Sequence, residues 1–212
     1  MLKAAQEALA DGQPRLVSVQ PPDVLQEHGV TAGDRREGVS YASNMCPSRG
    51  TMDIFVEPVL PPAEIVVCGG SPVAVAVAEL GRRVGYAITV CAPAAEQSAF
   101  AQADQRIESY ALPARTPQSS FIVVATQGRG DEAALTGALA TGAAYVAFVG
   151  SHKKAEVLKA KLSERGVAPD RLARLKSPAG LDLGAITPDE IALSILAEIL
   201  ALRRRGQKRS AG

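Results

Sequence analysis

Tryptophan is absent, and aromatic residues make up only 4% of the 212 residues. A core so poor in large rings must be assembled mainly from small aliphatic residues, which suits helices packed closely on a parallel sheet better than a β-sandwich. An excess of one charge is also missing. The chain carries 23 Lys+Arg against 22 Asp+Glu, a net charge of +1, which argues against a nucleic-acid binder. Cysteine is scarce: Cys46, Cys68 and Cys91 are odd in number and show no CxxC spacing, so no disulfide framework is expected and a reducing cytoplasm is. Histidine is limited to His28 and His152, and there is no Ser/His/Asp set, HExxH or P-loop, so histidine acid–base chemistry has little support. The N-terminal stretch carries Lys3, Glu7 and Asp11 and lacks the apolar core of a signal peptide. One uncharged run, Ala133 to Ser151, is about long enough to span a bilayer. Gly137, Thr141 and Gly142 interrupt it, and its pattern changes from alanine-rich to Tyr145-Val146-Ala147-Phe148-Val149. It reads as helix, turn and buried strand, and no membrane partner is expected.

What is present is ordinary globular composition, 47% hydrophobic and 21% charged, which excludes wholesale disorder. The length implies one large domain or one domain with a fragment. Residues 1–60 hold turn clusters at Gln20-Pro21-Pro22-Asp23 and Ala32-Gly33-Asp34, then a strand-like run from Met52 to Glu57. Pro61-Pro62 makes a stiff joint. From Glu64 short apolar runs alternate with helical patterns: strands at Ile65–Cys68, Tyr86–Cys91, Arg106–Ser109, Phe121–Ala125 and Ala144–Val149. Helices are expected at Pro72–Val84, Ala94–Ala103, Asp131–Ala140 and His152–Arg165. This order implies an α/β fold, a Rossmann-like parallel sheet flanked by helices with right-handed crossovers, preceded by a small partial α+β domain. The last helix opens on Thr187-Pro188-Asp189-Glu190, an N-cap, a first-position proline and a capping-box glutamate. Ile191, Ile195, Leu196, Ile199 and Leu202 share one of its faces. The expected organisation is 1–60, 61–203 and a disordered tail over 204–212.

The first strand–turn–helix reads Cys68-Gly69-Gly70-Ser71-Pro72-Val73-Ala74. It occupies the place of a dinucleotide fingerprint, where small residues let a pyrophosphate approach backbone amides at a helix start. Ser71 stands at the second glycine, and the next strand ends Cys91-Ala92-Pro93 without the carboxylate that usually holds a ribose. The plain alternative is a tight turn with no ligand. Two further loops leave the same sheet edge. Gln127-Gly128-Arg129-Gly130-Asp131 offers bare amides and a bidentate donor, and Gly150-Ser151-His152-Lys153-Lys154 offers an N-cap and two ammonium groups. Each alone could be a turn or a solvated helix face; three on one edge favour a phosphorylated ligand. Asp182, in the loop Ser177–Gly184 with Gly180, could bind a ligand or make an Asx-turn. Cys46 is the only cysteine in a polar loop, near Arg49.

In order along the chain, Phe55–Pro58, Gly69–Ala74, Ala125–Glu132, Phe148–Ser151, Ser177–Gly184 and Thr187–Ile199 resemble the xanthine dehydrogenase accessory protein family, XdhC/CoxI, over about residues 40–202. The resemblance implies a chaperone, not a catalyst of turnover. It would bind molybdenum cofactor, as molybdopterin or its dinucleotide form, and deliver it to a xanthine dehydrogenase or carbon monoxide dehydrogenase type of molybdenum hydroxylase. By resemblance the ligand lies over the Gly69–Pro72, Gln127–Asp131 and Gly150–Lys154 loops, with Cys46 near the metal end. The implied partners are the hydroxylase apoenzyme, a cofactor sulfurase, a second copy in a homodimer, and a separate chain carrying a further N-terminal segment usual in the family. Two departures stand out: Gln127 replaces a frequent His, and Ala92 a common acidic residue. The competing readings are an NAD(P)-dependent oxidoreductase, which the Rossmann pattern suggests, and a non-catalytic interaction protein with a decayed site.

Overall fold

The computed structural model describes residues 2–47, 49–110, 112 and 120–210. Two compact units are formed, one of the residues up to Pro61 with the chain end from Gln207, the other Pro62–Gly206.

In the first unit, helix α1 (Leu2–Asp11), strand β1 (Arg15–Gln20), helix α2 (Pro22–Glu27) and strands β2 (Arg35–Arg36), β3 (Val39–Ser43) and β4 (Met52–Val56) follow in order. The sheet order is β2-β3-β1-β4, with β1 parallel to β3 and antiparallel to β4. Ala4 and Ala8 are the buried face of α1. Buried Arg15 is held by Asp11 and by the carbonyls of Gln13 and Pro14, which answers the desolvation of its charge.

The second unit contains β5 (Glu64–Cys68), α3 (Pro72–Arg83), β6 (Ala87–Cys91), a 3-10 helix (Ala94–Phe100), β7 (Gln105–Ile107) and β8 (Ser120–Val124). It continues through α4 (Asp131–Ala140), β9 (Tyr145–Phe148), α5 (His152–Glu164), α6 (Pro169–Ala173), β10 (Leu175–Lys176) and α7 (Pro188–Ser210), of which the part up to Gly206 belongs to this unit. The six strands are parallel, in the order β10-β9-β8-β5-β6-β7. The chain therefore leaves central β5 in one direction and returns to its other side at β8. That reversal opens a crevice beyond the ends of β5 and β8, where open α/β sheets bind ligands.

Both faces of the central strands β5, β6, β8 and β9 are covered, so those strands are mostly apolar, whereas the edge strand β7, Gln105–Ile107, is polar and largely exposed. Ile65 and Val67 pack with Val77, Ile88, Ile195 and Ile199 on one face, while Val66 and Cys68 pack with Ile122, Leu135, Leu139 and Leu162 on the other. Gly81 explains how closely α3 lies on this sheet, since a Cβ there would sit 3.1 Å from the Cδ1 atoms of Ile65 and Ile88. Fully burying one Ile such as Ile195 contributes about 2–3 kcal/mol.

Several expectations change. The pattern over Ala94–Ala103 forms a 3-10 helix over Ala94–Phe100, the elements α1, β1, α2, β2, β3, α6 and β10 have no counterpart among those expected, and Leu202 is exposed although Ala192, Ile195, Leu196 and Ile199 are buried. The tail expected to be disordered from residue 204 is helical to Ser210, with residues 211–212 outside the described part. Apart from Gly206, the residues of this segment are tolerated in a helix. The start of α7 is as read: Thr187 Oγ1 accepts from Glu190 N at 3.3 Å, and the Glu190 carboxylate accepts from Thr187 N at 2.9 Å and Ile186 N at 2.8 Å. No helix among the described residues is long and apolar enough to cross a membrane.

Candidate functional site

The crevice is built from the loops that follow β5 and β8. Gly69 adopts φ +105°, and a Cβ there would lie 2.7 Å from Ala125 O and Thr126 Cα. Glycine is thus required for the two loops to touch at all. Ser71 caps α3 by accepting from Ala74 N at 3.1 Å, and Pro72 begins the helix. The amides of Gly70 and Val73 have no partner among the described residues, as expected of the open first turn of a helix.

The second loop is organised by Asp131. This buried carboxylate accepts from Thr126 Oγ1, from Gly128 N at 3.0 Å and from Lys154 Nζ at 2.6 Å. Burial alone would raise its pKa, but Lys154, Thr126 and Gly128 more than offset that and hold it below the usual carboxylate range. Gln127, Gly128 and Gly130 all have positive φ, so the chain turns sharply and leaves Arg129 standing out at 84% exposure. The Tyr110 hydroxyl donates to Arg129 O at 2.9 Å, and its ring lies against Gly130.

Glu96, in the 3-10 helix after β6, lies on the glycine turn: a Cβ on Gly70 would be 2.6 Å from Glu96 Cβ and Oε2. Its Oε1 is 3.9 Å from the Arg129 guanidinium. The crevice thus offers two amides without protein partners and an exposed guanidinium as donors, and the Glu96 carboxylate as an acceptor, a set that fits a phosphate joined to a hydroxyl-bearing group.

A cleft of about 570 Å³ lies further along the edge, lined by Gly150, His152, Lys176, Gly180 and Asp182 among others. Glu198 fastens its wall. Its carboxylate accepts from Tyr145 Oη at 2.6 Å, Gly180 N at 3.0 Å and Lys176 Nζ at 3.1 Å. Burial, together with this carboxylate, pushes the Tyr145 phenol far above its ordinary value. Asp182 itself is exposed.

Residues 65–199 match the XdhC Rossmann domain. The chain belongs to the XdhC Rossmann domain family. The Escherichia coli protein YqeB is 27% identical over 211 residues, covering 96% of this chain and 36% of the relative. A Bacillus subtilis protein, named as a probable xanthine dehydrogenase subunit, is 26% identical over 163 residues, covering 73% of this chain and 47% of the relative. The chain therefore spans between about a third and a half of the length of these relatives. A crystal structure described as a xanthine dehydrogenase from Bacillus halodurans superposes with a TM-score of 0.58 at 22% identity, over 73% of this chain and 46% of the other. That likeness concerns the fold.

Within this XdhC domain, Gly69, Gly70, Ser71, Pro72, Gln127, Gly128, Arg129, Gly130 and Asp131 come together around the crevice, joined by Lys154. Gly150, Gly180 and Asp182 line the neighbouring cleft instead. Ser151 caps α5 by accepting from Lys154 N at 3.3 Å, and Lys153 is exposed on that helix. Asp131 and Lys154 pair with each other, so one of the two ammonium groups expected to face a ligand is already compensated. Cys46 lies exposed in the first unit, and Cys68 and Cys91 are buried register neighbours on β5 and β6. Among the described residues no group of three or more His, Cys, Asp or Glu is placed to hold a metal ion. Sequence reasoning missed Glu96, Tyr110 and Glu198. For Glu96 the only available signal was a carboxylate four residues after Ala92.

Proposed function

We propose that this protein is an accessory factor that binds molybdenum cofactor at the β5/β8 crevice and passes it to a molybdenum hydroxylase of the xanthine dehydrogenase class. The observation that carries the reading is membership of the XdhC Rossmann family, supported by a glycine turn with unpartnered amides at a helix start beside the sheet's switch point. The name of the Bacillus subtilis relative supports the choice of client. The cofactor is cargo here, and its molybdenum dithiolene supplies the oxygen-transfer chemistry of the client enzyme.

The chain's own residues bind and orient. The Gly70 and Val73 amides would receive a phosphate, helped by the positive end of the α3 dipole. Arg129 would add a charge-assisted contact from an exposed position it can leave again. Asp131, pinned to Thr126, Gly128 and Lys154, keeps the Arg129 loop in shape without touching the cargo. Such a site suits a carrier, because it grips an anion and carries few groups that could react with a labile centre. Cys46 lies in the other unit and takes no part in the proposal.

The test is to isolate the protein from a host that makes molybdenum cofactor and measure oxidised-pterin fluorescence and molybdenum together. Pterin and molybdenum near one per chain, lowered in Arg129→Ala, and activation of an apo-hydroxylase by the loaded protein are expected. Protein free of both, from a host whose own molybdenum enzymes are active, would overturn the reading.

A further inference from the structure

We infer that Glu96 accepts the ribose hydroxyls of a ribonucleoside diphosphate whose phosphates lie on the Gly69–Pro72 turn. On the cofactor reading above, on which this inference rests, the cargo is then the dinucleotide form.

The geometry leads there in three steps. In sheets of this strand order a diphosphate on the first turn leaves the attached ribose near the end of the adjacent strand, and a carboxylate there takes both hydroxyls. Here that strand is β6, and it ends Cys91-Ala92-Pro93 with no carboxylate. The 3-10 helix makes up the difference. Gln97, itself buried, donates from Nε2 to Ala92 O at 2.7 Å and to Ile107 O at 2.9 Å. Those two bonds tie the helix to the ends of β6 and β7 and fold it back towards the turn. Glu96, one residue earlier, is thereby laid on Gly70, where any side chain on Gly70 would collide with it. The carboxylate reaches the ribose position from one helical turn later in the sequence.

It also has capacity to spare. The Glu96 side chain is 23% exposed, and its ion pair with Arg129 is long, at 3.9 Å, to a guanidinium that is 84% exposed. Such a pair is weak. An ionised carboxylate has about four acceptor positions, enough for a diol. Arg129 then serves as counter-charge to the phosphates.

Two sources share this chemistry, a molybdopterin dinucleotide and a nicotinamide dinucleotide, so the experiment carries arms for both. The full chain is titrated calorimetrically with CDP, GDP and ADP, with their 2′,3′-dideoxy counterparts, and with NAD⁺. At least one ribonucleoside diphosphate should bind about tenfold or more tightly than its dideoxy form, since a partly buried charged acceptor loses its donors. Glu96→Ala should shrink that ratio to about threefold or less, with an unchanged thermal midpoint reporting intact folding. Equal binding of ribo and dideoxy forms by the unsubstituted protein would overturn the inference without any variant. So would protein that carries pterin yet binds no nucleoside diphosphate; the cofactor reading would survive that result. Conversely, an intact ribose preference in protein that never carries pterin, with NAD⁺ the tightest ligand, would uphold the role of Glu96 and overturn the cofactor reading.

Discussion

Asp131→Ala should loosen the crevice by removing the one group on which its second loop converges. Three donors lose their acceptor. The Thr126 hydroxyl is buried, so leaving it unpaired costs about 1–3 kcal/mol. The Gly128 amide, at 3.0 Å, is exposed enough to find water, and its loss adds about 0.5–1 kcal/mol. Lys154 is 41% exposed, so solvent screens its pair and about 1 kcal/mol is the ceiling. Together these give about 3 kcal/mol. Asp131→Asn keeps an oxygen facing Thr126 and Gly128 and forfeits chiefly the ammonium pair, about 1 kcal/mol. With a urea slope of about 2 kcal/mol/M, the midpoints followed by circular dichroism should fall by about 1.5 M and about 0.5 M. The pH dependence has a definite sign. A carboxylate whose folded pKa is depressed stabilises the fold above its unfolded pKa of about 3.9, and that stability is lost as pH falls through the lower folded value. The gap between native protein and Asp131→Asn should therefore close below about pH 4. Equal losses for Asn and Ala would refute the argument, because they would make charge rather than hydrogen-bond geometry the anchor. So would a gap that widens in acid.

Gly69→Ala would push a Cβ to 2.7 Å from backbone atoms of Ala125 and Thr126; backbone cannot swing aside, so loss of soluble protein or a Tm drop of at least about 10 °C is expected, read by calorimetry. Glu198→Ala should release Gly180, Lys176 and Tyr145 together, destabilising by about 2–4 kcal/mol. In the same variant an ultraviolet pH titration should show the Tyr145 phenol ionising at lower pH, yet still above the ordinary tyrosine value, because burial is the larger cause of its shift. Ile199→Ala, at a fully buried position where α7 meets the sheet, should cost about 2–5 kcal/mol in urea unfolding.

Legibility followed sequence range. Helix Asp131–Ala140 was bounded correctly from sequence because Gly130 before it and Thr141-Gly142 after it are local stop signals. The central strands of the parallel sheet are visible because burial on both faces makes them nearly unbroken apolar runs. α6, of five residues, and β10, of two, are too short for any periodicity to show. Lys154 looked like a free cation because nothing in the loop after Phe148 says that Asp131, 23 positions earlier, will meet its Nζ at 2.6 Å.

The sequence by itself determined the longer elements of the second unit, the largely aliphatic core and the three glycine-bearing loops, since each rests on propensities and spacings within about a dozen residues. Only the tertiary structure decided which loops share a crevice and what charge it presents. Strand order places β8 beside β5, so the Gly69 and Ala125 loops touch while Gly150 and Gly180 line a separate cleft. The same packing neutralises Lys154 and lays Glu96 over Gly70. Charges separated by tens of residues become neighbours only when the sheet is assembled, and between exposed groups their interaction is largely screened beyond about 10 Å.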